Sequence, residues 1–186
     1  MREPLKQLLQ GKYILCACEG HAEQAIIDLL LDNDFLCFGR QAMIGGECTQ
    51  IRTGEQLAKQ YLGMEMEREL AILRILDREK ERLVLPKAYQ LRDDINIFNV
   101  VTKPEIEILH IIDAGLYENF KAQGHGVKAS SYCKERLGHD RRHRTVKTRE
   151  FVIQRYQGYP ERLVEAIRKY RYLANPSGYC LADLLM

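Results

Sequence analysis

The chain has 186 residues, 46% hydrophobic and 29% charged, with a net charge of +2. That is enough for one compact α/β domain, or one with a small appendage, and too little for two large domains; the charge excludes a disordered acidic tail and a histone-like polycation. No apolar run approaches the roughly 20 residues of a membrane span. The opening Met-Arg-Glu-Pro-Leu-Lys lacks the plan of a secretory signal, so a cytoplasmic protein is expected, with its six cysteines as free thiols and no CxxC pair.

The near-neutral total conceals a split. Residues 1–110 carry 14 Lys and Arg against 18 Asp and Glu, a net of −4, and residues 111–186 carry 14 against 8, a net of +6. An acidic site holding a cation, beside a basic surface holding a polyanion, accounts for both halves; ordinary variation in surface composition is the competing reading.

In chain order, 12–18 is a short apolar run rich in β-formers, closed by Glu19-Gly20. The recurrence of Ala22, Ala25, Ile26, Leu29 and Leu30 then predicts an amphipathic helix, stopped at Asp32-Asn33-Asp34. Phe35-Leu36-Cys37-Phe38 reads as a second strand and completes a βαβ unit. Residues 39–54 read as a polar loop, 55–62 as a helix, and 69–76 as a strand apolar enough to be central. After the charged connection 79–82, residues 83–85 form an edge strand or extended loop before Pro86. Residues 95–101 are the fourth strand, and Pro104 starts a helix through Ile112 with Glu105 and Glu107 in its first turn. Beyond Gly115, three further helices are expected near 130–137, 148–156 and 160–173. The expected architecture is α/β: a mostly parallel four-stranded sheet with flanking helices over 1–112, and a helical basic C-terminal segment over 113–186 packed on it.

Three of the four expected strands end in carboxylates: Glu19, then Asp77 with Glu79, then Glu105 with Glu107. The C-terminal edge of a parallel sheet is where such folds bind ligands. Carboxylates gathered there repel one another unless a divalent cation neutralises them, and oxygen donors without convergent His or Cys favour Mg²⁺ or Mn²⁺. A cation so held can polarise a phosphoryl oxygen and activate water. Taken singly, each group has a plainer reading, as a turn, a charged loop or first-turn acids answering a helix dipole.

The strand ending in Glu19-Gly20, the later strand ending in Asp77-Arg78-Glu79 and the Pro104-Glu105-Ile106-Glu107 stretch together resemble the TOPRIM domain, and within it the RloB-like proteins associated with restriction-modification and phage defence. The resemblance covers roughly residues 12–112. It implies a divalent-metal-dependent nuclease in which Glu19 acts as acid, base or metal-orienting group, with Asp77, Glu79 and Glu107 as ligands and Glu105 also in the metal site. The chain departs from the pattern at Glu79, where a second aspartate is usual, at Lys103, where an asparagine precedes the proline, and at Ile106, where an aromatic is usual.

The second cluster is basic. Between Lys121 and Glu150 stand nine Lys and Arg against three acids, among them Lys134, Arg136, Arg141, Arg142, Arg144, Lys147 and Arg149, with Tyr132 nearby. Such density suits backbone contacts to DNA or RNA, although charge runs are commonly only solvated faces. Arg74 and Arg78 are further candidates for holding phosphate charge. Cys133, His139 and His143 lack a second cysteine at zinc-finger spacing, and Cys16 and Cys18, on one side of one strand, read as small core residues. The alternatives to a nuclease are a non-catalytic subunit that binds nucleic acid or a partner protein of a defence system, and a small-molecule phosphoryl-transfer enzyme; a homodimer spanning a duplex is also expected.

Overall fold

The computed structural model describes residues 2–78, 81–124, 126–138 and 146–186. Three strands, β1 (Tyr13–Cys18), β2 (Leu70–Leu76) and β3 (Ile95–Val101), form a parallel sheet in the order β1-β2-β3. The register pairs Cys18 with Ile75 and Ile75 with Val100, so the strands end nearly level and their C-terminal residues share one edge. All seven residues of β2 are buried, as a central strand covered on both faces requires.

Side-chain alternation divides the core into two layers. Ile14, Cys16 and Cys18 of β1, with Ala71, Leu73 and Ile75 of β2, join the larger cluster; Leu15, Leu70 and Ile72 join the smaller. Among the described residues, the larger layer draws buried residues from α1 (Leu5–Leu9), α2 (His21–Asp32), α5 (Ile108–Asp113), α7 (Ala129–Leu137), α8 (Arg149–Tyr156) and α9 (Glu161–Ala174), and from the 3-10 turn Leu181–Leu184. The smaller layer is covered by α3 (Gly54–Leu57), the π turn Ala58–Leu62 and α4 (Lys87–Gln90); α6 (Tyr117–Ala122) lies between α5 and α7 in the chain. One apolar cluster thus runs without a break from Ile14 of β1 to Tyr170 of α9. In α9, Leu163, Val164, Ala166, Ile167 and Tyr170 make the buried stripe that its helical spacing predicts.

The first turn of α3 is fitted to its neighbour by Gly54, where a Cβ would stand 2.0 Å from the Val84 carbonyl oxygen. The segment 83–85 passes at that point as extended chain, with Leu85 in the smaller core.

Two expectations are corrected. Residues 35–38 form no strand of the sheet: Leu36 makes a single antiparallel bridge to Leu185, the Cys37 amide donates to the Leu184 carbonyl, and the Met186 amide donates to the Phe35 carbonyl. The outer edge of β1 is taken instead by the loop read as irregular, through bridges from Met43 to Ile14 and from Thr49 to Ala17. The described sheet therefore has three strands rather than four. The helix expected from Glu105 begins at Ile108, with Glu107 as its N-cap. Among the described residues no helix is long and apolar enough to cross a membrane.

Candidate active site

The common strand edge opens into a cleft of about 430 Å³ lined by Glu19, Glu23, Asp77, Glu81 and Glu107 together with His21, Arg52, Arg78 and Lys147. Glu19 follows β1, Asp77 follows β2, and Glu107 arrives at the start of α5, so parallel strands and one helix entry bring together residues far apart in sequence. Glu19 is fixed by its own strand neighbour: Oε2 accepts the Asp77 amide at 2.8 Å, while its carbonyl accepts from Arg52. His21 opens α2, and its Nδ1 accepts from Gln50 Nε2 at 2.9 Å. Glu23 stands at the third position of the same helix, folded back so closely that a Cβ on Gly20 would lie 3.0 Å from its Oε2.

The electrostatics single out Glu107. It is 1% exposed, and neither carboxylate oxygen has a hydrogen-bond partner. Burial pushes it up to about 7, opposed by the dipole of its own backbone amide and by Lys147, with Glu105 and Glu23 adding repulsion. Burial also raises Glu19 against the Asp77 amide, with the negative charges of Asp77 and Glu81 adding to the rise, and burial raises Glu23. The cleft therefore holds several carboxyl groups whose ionised forms are poorly compensated by protein alone.

Glu105 and Glu107, two residues apart, have opposite surroundings. Glu105 accepts the Ser130 amide at 2.8 Å, near the start of α7, and the Lys147 ammonium at 3.0 Å. Burial raises it, but these two partners prevail and hold it below the ordinary range. Both its oxygens are thus engaged, and it brings Lys147 to the cleft. Glu79 lies outside the described residues.

The basic candidates separate in the same way. Arg74 is 4% exposed and spent within the fold, donating to Glu81 Oε1 at 2.6 Å, to the Glu81 carbonyl at 2.9 Å and to Asn99 Oδ1 at 3.3 Å. Its candidacy as a phosphate ligand is corrected by that burial, since a β2 side chain facing the smaller layer must be neutralised internally. Arg78 lines the cleft with its side chain 81% exposed. Lys134 and Arg136 are exposed on α7, and Arg149 pairs with Asp28 at 2.5 Å, whereas Arg141, Arg142 and Arg144 lie outside the described residues. Arg52, Glu23 and His21 were not singled out by sequence. The position of His21 directly after Glu19-Gly20 was the available signal for it.

A second donor set lies along β1. The Sγ atoms of Cys16, Cys18 and Cys48 lie within 4.8 Å of one another and are buried, close enough to hold a metal ion. Hydrogen bonds from Cys16 and Cys18 lower Cys48 to about 5, against burial. The donors are thiols and do not point to Mg²⁺ or Mn²⁺. Cys133 is buried on α7, and His139 and His143 lie outside the described residues.

Compared with models of protein families, with curated proteins and with solved structures, the chain finds no match in any of the three.

Proposed function

We propose that the cleft binds Mg²⁺ or Mn²⁺ and hydrolyses phosphodiester bonds of nucleic acid. The observation that carries this reading is Glu107, a buried carboxylate with two unpartnered oxygens at a cleft shared with Glu19 and Asp77. A buried ionised carboxylate without hydrogen bonds is costly, and a hard divalent cation with oxygen ligands is the partner that removes the cost. The residue types agree with the role that the TOPRIM resemblance implies.

In this reading Asp77 and Glu107 would hold the cation, and a cation bound there would supply Lewis-acid polarisation of the phosphoryl oxygen. Glu19, oriented by the Asp77 amide and raised by burial, accepts the proton of the attacking water. Water oxygen bonds to phosphorus as the P–O bond to the departing sugar oxygen breaks, and solvent returns a proton to that oxygen. Arg78, Lys147 and Arg52 offer cationic charge to the phosphate at the cleft, and Lys134 with Arg136 extends the basic surface on α7.

The test is cleavage of an end-labelled pool of single- and double-stranded DNA and RNA by the full chain, with Mg²⁺, Mn²⁺ or EDTA. Metal-dependent cleavage lost in Asp77→Asn is expected. Hydrolysis of small phosphate esters with no polynucleotide cleaved would replace the nuclease reading by a small-molecule one, and no hydrolysis in either case would end both.

A further inference from the structure

We propose that Cys16, Cys18 and Cys48 form a second, separate metal site that takes a soft d¹⁰ cation of the Zn²⁺ or Cu⁺ class. It goes beyond the acidic cleft and does not depend on it. The site has a built frame. Cys16 and Cys18 are alternate residues of β1 and project to the same face, while Cys48 is carried to them by the chain lying along the outer edge of that strand. Two backbone hydrogen bonds lock this edge, Thr49 amide to Cys16 carbonyl at 2.8 Å and Cys18 amide to Thr49 carbonyl at 2.9 Å.

The spacing fits the chemistry. Thiolates around a tetrahedral zinc at the usual Zn–S length lie about 3.8 Å apart, and a trigonal cation asks for a similar separation. Sulfur atoms already within 4.8 Å need only small rotations about χ1 to reach it. Buried single cysteines are ordinary small hydrophobes, but three sulfurs meeting at one point, one of them from a loop 30 residues beyond the strand, is a donor set. Binding is balanced by proton release: three thiols and one M²⁺ give a tris-thiolate complex of charge −1, and each thiol still protonated gives up one proton. Near Cys48 the negative charge of Asp28 is opposed by Arg40, which pairs with Asp28 at 3.3 Å and Asp32 at 2.6 Å. Cys48 is 8% exposed, Gln24 donates to its carbonyl at 3.5 Å, and Gln24 and the neighbouring Glu47 line a cleft of about 590 Å³ together with Asp28 and Arg40.

The test uses the full chain, reduced and stripped of metal, titrated with Co²⁺ and, in parallel, with Cu⁺ against a chromophoric chelator. The expected result is either a thiolate-to-cobalt charge-transfer band saturating at one equivalent and displaced by Zn²⁺, or stoichiometric capture of Cu⁺. Cys48→Ser, in the loop, weakens that binding by at least about tenfold, while Cys37→Ser leaves it unchanged. Because Cys16→Ser or Cys18→Ser can fail to fold, the wild-type chain gives an independent readout: Zn²⁺ or Cu⁺ slows alkylation of three of the six thiols. A folded wild-type chain that takes up neither probe, or binding that survives Cys48→Ser undiminished, overturns the proposal.

Discussion

The two donor sets of this molecule begin on adjacent residues, Cys18 and Glu19, yet they are built on opposite principles. The thiols are preassembled, three sulfurs within 4.8 Å, because sulfurs can share a core and hydrogen-bond to one another, with Cys16 and Cys18 donating to Cys48. The carboxylates are gathered around a cleft without closing on a point. Glu19 is tied to the Asp77 amide, Glu23 to its own helix start, and Glu107 is left without a partner. The difference shows that strand alternation with one edge pairing can bring three sulfurs together, whereas carboxylates of like charge gathered at a strand edge stay apart when the protein alone must compensate them.

The strongest way to break the comparison is to remove the hard donors. Asp77→Asn combined with Glu107→Gln lowers the initial rate of Mn²⁺-dependent cleavage by at least about a thousandfold, with the circular dichroism spectrum retained. A double variant that cleaves within tenfold of wild type would mean the cleft is not the reacting site.

Next comes stability in the absence of metal. Glu107 titrates near 7 in the folded chain and near its ordinary value of 4.5 unfolded, so the folded form binds more protons between those values and its stability falls as pH rises through them. His110 acts in the opposite direction, since burial lowers it to about 3 and its contribution is lost as pH falls. Comparison with Glu107→Gln cancels the histidine. The advantage of the variant in chemical denaturation grows from about pH 4.5 to 7 and levels at about 3 kcal/mol. A pH-independent difference would show that Glu107 is compensated in the fold.

Arg74→Met sharpens the boundary between fold and site. Loss of the pair with Glu81 costs about 2 kcal/mol of stability, read by denaturation, and frees Glu81 into the cleft. The smallest effect belongs to the soft set: without metal, Cys48→Ala costs about 1 kcal/mol, the cost of a small vacancy, by the same assay. A larger loss would mean the thiol is chiefly a packing element.

Much of this was legible in the sequence. The runs 12–18, 69–76 and 95–101 became the three strands: 69–76 is apolar throughout, as a central strand covered on both faces requires, while 95–101 alternates before turning apolar, as an edge strand does. The strand-end positions of Glu19 and Asp77 followed from that. Residues 35–38 misled because a short apolar run has the same composition whether it joins a sheet or, as here, meets the C-terminal residues 184–186. The contrast between Glu105 and Glu107 could not be read, since it depends on Ser130 and Lys147 arriving from elsewhere in the chain. Cys48 was hidden for the same reason: it reaches β1 through the long-range edge pairing of its neighbour Thr49 inside a polar loop. The loss of Arg74 to Glu81 likewise needed the path of the connection after β2.

The most direct measurement is calorimetric titration of Mn²⁺, a hard cation that the buried thiols do not favour, into the reduced, metal-free chain, wild type beside Glu107→Gln and Asp77→Asn. The account predicts saturable binding by wild type that is at least about tenfold weaker in each variant. A folded wild-type protein that releases no heat of binding, or variants that bind as tightly, would contradict it.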